Sequence, residues 1–220
     1  MRLRTLIAFA IFLTMIVVIG MPTLPDWTGR VSTGLTKKMK EELPLIGSAI
    51  RPSGSSDITV YFCAVDDCVR PLSAFINETN QSNTTLQCAL YDVTIPGIVS
   101  MLQDLSSEGR AQLVVDDEAT ETDRRLDFAK RDHPSGLMHN KFCVRDATVL
   151  TGSFNPTAAG ATSYDNNLLK IQSTELAENY RREFAELWNG QFGKGSDTPY
   201  PDLMIDTIAV QNAFCPEDWC

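Results

Sequence analysis

Within Met138–Asn155, MHNKFCVRDATVLTGSFN, an imidazole (His139), an ammonium (Lys141), a carboxylate (Asp146) and two side-chain hydrogen bonders (Ser153, Asn155) fall inside eighteen residues. The first half, Met138 to Asp146, has strand character: Phe142, Cys143 and Val144 are aromatic, sulfur-bearing and β-branched, and no helical period runs through them. Side chains two apart on a strand share a face. His139 and Lys141 are therefore expected to project together, a nucleophile or base beside a fixed positive charge, with Asn140 turned away. Such a pair suits one phosphate group. Asp146-Ala147 looks like a tight turn into a second short strand at Val149–Leu150, and Gly152 lets Ser153 and Asn155 approach the first strand closely.

These residues have the form His-x-Lys, four residues, Asp, then Gly-Ser-x-Asn beginning six residues beyond that Asp. The pattern resembles the phospholipase D superfamily at each typed position: His139, Lys141, Asp146, Gly152, Ser153 and Asn155. The resemblance implies a phosphodiesterase in which His139 attacks phosphorus and Lys141, Asn155 and Ser153 stabilise the growing charge. It makes Asp146 an orienting carboxylate and places Asn167 beside these donors. It also implies that no metal or other cofactor is required, and that the leaving group is protonated by the histidine of a second motif. Only one complete motif is present, so a homodimer or a missing second half is expected. His133, in Asp132-His133-Pro134, has no lysine two residues on and reads as loop. One-domain nuclease members usually have a glutamate before the Asn of the following strand. Here that position is Asn166, which removes a carboxylate able to orient the histidine.

The elements that must position this hairpin alternate. Asp57–Phe62, Leu86–Tyr91, Ala111–Val115 and Asn167–Ile171 read as strands. Helices are expected near Leu72–Ile76 behind Pro71, from Pro96 to Leu105, over Thr122–Lys130, and from Ser173 or Thr174 to Trp188. This order predicts an α/β fold, a mixed sheet flanked by helices, forming one domain after an N-terminal hydrophobic helix. The resemblance covers about residues 57–194.

At 220 residues and 43% hydrophobic content the chain can bury one good core. Thr5–Leu24 carries no charge and follows Arg2 and Arg4. Residues 1–25 are therefore expected to act as a signal anchor or signal peptide, leaving the catalytic domain extracytoplasmic or, after cleavage, secreted. Residues 26–56 read as stalk and linker. Six cysteines fit an oxidising compartment and leave their pairing open; for Cys143, which shares the face of His139 and Lys141, a buried inert thiol is expected. Asn77, Asn80 and Asn83 head three glycosylation sequons read as an exposed loop. Phe62-Cys-Ala-Val-Asp-Asp-Cys68 and Phe214-Cys-Pro-Glu-Asp-Trp-Cys220 echo each other, so residues 195–220 read as a connector and the start of a truncated second repeat.

A net charge of −9 and a pI near 4.7 argue against broad, non-specific nucleic-acid binding. The expected substrate is a phospholipid head group, with a nucleic-acid phosphodiester as the alternative. A third reading, suggested by the single motif and by Asn166, is an inactive binding module.

Overall fold

A computed structural model describes residues 17–18, 58–63, 65–82, 84–118, 126–132 and 137–218. The stalk at 26–56, His133 and Asn83 lie outside the described residues. So does the expected hydrophobic helix, apart from Val17–Val18, which form a short strand (β1). No helix among the described residues is long and apolar enough to cross a membrane.

Seven strands build one mixed sheet. They are β2 (Ile58–Phe62), β3 (Leu86–Leu90), β4 (Ala111–Val115), β5 (Lys130–Arg131), β6 (Lys141–Arg145), β7 (Thr148–Gly152) and β8 (Asn167–Gln172), in the spatial order β2-β8-β7-β6-β3-β4-β5. β3, β4 and β5 pair in parallel, and the other neighbours pair antiparallel. Helices α1 (Val69–Gln81), α2 (Pro96–Ser107), α3 (Ala158–Thr162) and α4 (Thr174–Trp188) complete the domain. The mixed sheet flanked by helices is as the alternation of elements predicts.

Each face of the sheet has its own core. On one, Cys88, Leu113, Cys143 and Leu150 pack with Phe75 of α1 and Leu102 of α2. On the other, Phe142, Val144 and Val149 meet Tyr180 and Phe184 of α4. This division follows the period of two along β6, with Phe142 and Val144 pointing one way and Cys143 the other. Because both faces are covered, β3 and β4 read as continuous apolar runs. Ser173 caps α4 by accepting from the Leu176 N–H, as its position before the apolar stripe predicts.

Several boundaries differ from expectation. Helix α1 runs to Gln81, so Asn77 and Asn80 are exposed helix residues and not loop, and Thr79 of the first sequon is buried, its hydroxyl donating to the Phe75 carbonyl. Of the helix expected over Thr122–Lys130, the described residues from Leu126 onward form a turn and then β5. Pairing with β4 wins there over local pattern. Residues 202–211, expected as connector, form a hairpin of β9 (Asp202–Ile205) and β10 (Ile208–Gln211) beside β1. Leu203, Ile205, Val210 and Phe214 join the α4 side of the core. Phe214 stands edge-on to Tyr180 with ring centroids 5.1 Å apart.

The expectation of a free thiol at Cys143 is also overturned. Cys143 is bonded to Cys88 directly across the β3–β6 pair, because the two lie opposite each other in register. Cys63 is bonded to Cys68, and Cys215 is disulfide-bonded as well.

Gly152 ends β7 at φ +142°, and a Cβ there would stand 2.5 Å from the Asn167 carbonyl oxygen and 2.7 Å from Asn167 Oδ1. The neighbour is backbone and cannot swing aside. Gly152→Ala is expected to cost about 3 kcal/mol or more of stability, read as a shift in the denaturant midpoint. An unchanged midpoint would contradict this close approach.

Candidate active site

Register gathers the chemistry at one end of the sheet. β6 begins there with Lys141 paired to Leu90, the last residue of β3, while β7 ends there with Gly152 beside Leu168 at the start of β8. His139 sits two residues before Lys141 in extended chain, just outside the strand expected to contain it. Its ring meets Tyr91 edge-on, with centroids 4.7 Å apart. The Lys141 ammonium donates to the His139 carbonyl at 2.9 Å and lies 5.2 Å from the centre of the same tyrosine ring. Imidazole and ammonium thus share one aromatic support.

The peptide between them is clamped from two sides. The Tyr91 N–H donates to the Asn140 carbonyl at 2.8 Å, and the Asn140 side-chain amide reaches Glu183 Oε1 of α4 at 3.4 Å on the opposite sheet face. Glu183 is buried, and burial pushes its carboxyl well above the usual carboxylate range, reinforced by the charges of Glu217 and Glu186.

Burial also acts on Lys141, lowering its ammonium from 10.5 to about 8, while Asp116 opposes the shift. The charged form of an amine is the one a low-dielectric site disfavours. An ammonium able to hold a diester is therefore present below pH 8 and lost as pH rises through it. The alkaline limb of kcat/KM, which reports the free enzyme, is expected near pH 8, and Lys141→Arg should move it upward. A flat profile to pH 10 would refute this assignment. The sign for stability is opposite: between about 8 and 10.5 the unfolded chain holds the proton more tightly, so stability from this group rises with pH.

Beyond Gly152, Ser153 ties β7 to β8. Its hydroxyl accepts from the Asn167 N–H at 3.0 Å and lies 3.2 Å from Asn166 Oδ1, to which it donates. Its own N–H is 3.2 Å from Asn167 Oδ1. The one hydroxyl proton of Ser153 is thus committed to Asn166, whose amide in turn donates to the Gly160 carbonyl at 3.0 Å. Ser153, Asn166 and Asn167 form a bracket, with the backbone doing the joining. Asn155 lies two residues further along, and its Oδ1 is buried with no hydrogen-bond partner. Buried orphans of this kind call for an explanation, and functional sites often supply it. The loops meet here too, since Thr94 and Ile95 N–H both donate to the Pro156 carbonyl at 3.0 Å.

Asp146 does not join the site. It lies beyond the far end of β6, roughly 15 Å along the strand from Lys141. There it turns the hairpin at φ +49° with its carboxylate 3.6 Å from Arg145 Nε, and its carbonyl accepts from Arg181. Its fixed spacing from His139 reflects the length of a strand and the turn that follows it.

Among the described residues two groups of carboxylates could hold a cation, Asp116 with Asp117 and Asp132, and Glu183 with Glu186 and Glu217. In the first group several oxygens already serve the backbone: Asp116 accepts from the Met138 and Glu118 N–H groups, and Asp132 from the Asp117 N–H. Burial raises the Asp132 carboxyl to about 6, with Asp116 and Asp117 adding to the effect.

Sequence reasoning passed over Tyr91 and Glu183. Tyr91 is signalled only by being the aromatic residue that ends a strand. Glu183 carried a clearer sign, because it falls three residues after Tyr180, on the stripe that α4 buries.

Comparison with known proteins agrees with this geometry. A family model described as cardiolipin synthase, PLD-like domain, matches residues 75–188, which is 114 of 220 residues. The chain belongs to the phospholipase D superfamily. It is by family a phosphodiesterase. This phospholipase D-like chain is 25% identical over 183 residues to a mitochondrial cardiolipin hydrolase of Chlamydomonas reinhardtii, covering 77% of the chain and 80% of that protein. A mitochondrial cardiolipin hydrolase of Xenopus laevis is 43% identical over 60 residues, 27% of this chain and 29% of that one. Among solved structures, the phospholipase D family member Nuc from Salmonella typhimurium superposes with a TM-score of 0.53 at 22% identity. It covers 61% of this chain and 95% of Nuc, a likeness of fold.

Proposed function

We propose that the protein hydrolyses phospholipid head-group diesters without a metal, through a phosphohistidine formed on His139. The observation that carries the reading is the seating of His139 and Lys141 on one tyrosine ring at the mouth of the sheet. A nitrogen of the imidazole attacks phosphorus, and the bond from phosphorus to the leaving alcohol oxygen breaks. Lys141 and the Asn155 amide stand ready for the non-bridging oxygens. A second imidazole gives the alcohol its proton, then takes one from the water that opens the phosphohistidine and frees His139. Since His139 is the one histidine among the described residues, that second group is assigned to another copy of the chain in a homodimer.

Lipid is favoured over nucleic acid by charge. Asp92, Asp116, Asp117 and Glu118 follow the strand ends beside the site, and the whole chain is acidic. A polyanion meets repulsion there. The relatives named as cardiolipin hydrolases support the same choice. An N-terminal anchor in 1–25 would hold the domain at a membrane, and the disulfides support a compartment outside a reducing cytoplasm. Endonuclease action by the same chemistry is the second reading.

The test incubates the full chain and its His139→Ala variant with vesicles of labelled phospholipid, with single- and double-stranded DNA, and with a soluble aryl phosphodiester. Head-group release by the native chain alone supports the proposal. Cleavage of DNA but not lipid selects the second reading, and equal inactivity of both proteins on every diester leaves a binding module.

A further inference from the structure

Exposed apolar side chains crowd the same end of the sheet as the site. β2 ends there, with Phe62 paired to Asn167 at the start of β8. Around that end Phe62 is 61% exposed, Val65 89%, Tyr164 60% and Leu137 48%. The first three form one flank. The Val65 N–H donates to the Phe62 carbonyl at 2.9 Å, the Cys63 N–H to the Asn166 carbonyl at 2.8 Å, and the Asn166 N–H to the Tyr164 carbonyl at 2.8 Å. Asn166 is also the residue that receives the Ser153 hydroxyl, so this flank borders the bracket directly. Leu137 stands toward the other side, two residues before His139.

The loop that carries Val65 is built to present it. The Cys63–Cys68 bridge closes the loop. Its two acids are folded back: Asp66 accepts from the Phe62 N–H at 2.8 Å, and Asp67 from the Val69 and Arg70 N–H groups at 3.1 and 3.3 Å. Val65, 89% exposed, is the apolar tip of this loop, with Asp66 and Asp67 exposed beside it but held by these bonds, in a chain whose residues 5–24 carry no charge and whose next 33 residues lead to β2.

We propose that Phe62, Val65, Tyr164 and Leu137 are a membrane-docking rim that sets the mouth of the site against a phospholipid bilayer. Aromatic rings suit the head-group boundary, and aliphatic side chains the acyl region just below it. An uncharged leader in the same polypeptide brings that surface to the bilayer, and the rim turns the site toward it. The proposal rests on the phospholipid reading for its substrate, and on geometry alone for the docking.

The experiment uses the full chain in phosphatidylcholine vesicles. In a Phe62→Ser/Val65→Asp double variant, KM for vesicle lipid is expected to rise about tenfold or more, while kcat/KM for a soluble aryl phosphodiester stays at the native value. Ile208→Asp, which charges an exposed apolar residue on β10 away from the rim, should change neither. Native-like vesicle kinetics in the double variant would overturn the proposal. Independently of catalysis, a Val65→Trp variant should gain emission that brominated phosphatidylcholine quenches, and emission indifferent to the bromine would overturn it. A halving of particle mass in the double variant would also overturn it, by making the rim a contact between copies. Loss of soluble-diester hydrolysis by the native chain itself would instead sink the catalytic reading and leave the quenching result to decide the docking.

Discussion

His139→Ala is expected to lower diester hydrolysis by about four orders of magnitude or more, the scale on which removal of a nucleophile acts. Its effect on folding should be small. The ring is half-buried, and the edge-on aromatic contact with Tyr91 that it loses is worth about 1 kcal/mol. A large kinetic loss beside a small shift in the denaturant midpoint separates chemistry from scaffolding. The native protein, quenched in alkaline denaturant during turnover of a phosphorus-labelled diester, should carry label that survives alkali, is lost in acid and is missing from the variant. Retention of more than a hundredth of native activity in the variant would remove His139 from the attacking role. Lys141→Met should also depress turnover while sparing the fold, since a partly desolvated ammonium gives way there to an apolar chain of similar length.

The largest effect on stability is expected at the opposite end of the same strand pair's logic. Cys88→Ala/Cys143→Ala removes a bridge closing 55 residues. Loop-closure arithmetic assigns such a cross-link about 4 kcal/mol. Both sulfurs lie in fully buried positions, so the alanines also leave unfilled volume. Cys63→Ala/Cys68→Ala, which opens a loop with a separation of only 5, should cost roughly half as much. Urea midpoints for the two double variants, with and without reductant on the native chain, test the order. Equal midpoints for the native and the Cys88→Ala/Cys143→Ala chains would show that the bridge is dispensable. Because Lys141 lies two residues before Cys143 and Tyr91 three after Cys88, turnover should fall with this bridge as well.

What the residues announced, and what they concealed, follows from the range of the forces involved. β4 and α4 were legible because alternation, capping at Ser173 and the apolar stripe are local properties. The typed spacing from His139 to Asn155 was legible because a hairpin fixes it. Asp146 occupies the turn expected of it but stands away from His139 and Lys141, because spacing along a chain does not say which end of the sheet a residue reaches. Cys143 was read as a thiol because its partner stands 55 residues earlier, and only the antiparallel register of β3 and β6 makes them opposite. Lys130 looked like the end of a helix until β4 offered hydrogen bonds. The role of Ser153 as a bracket depends on Asn166 and Asn167 of another strand, which no local pattern reveals.

The pairing of β2 with β8 joins Ile58 to Ile171 across more than a hundred intervening residues. A chain emerging from the ribosome therefore makes the first strand of the seven-stranded sheet long before its partner exists. The hairpin and the parallel unit have short closures and can form early, whereas this seam must wait and meets the greatest entropic delay within the seven-stranded sheet. Until it shuts, Val60 and Phe62 lie on an unpaired ribbon open to other nascent chains. Assembly of the mouth is thereby held back until β8 has been made, and a chaperone acting on this protein has that waiting edge as its natural grip.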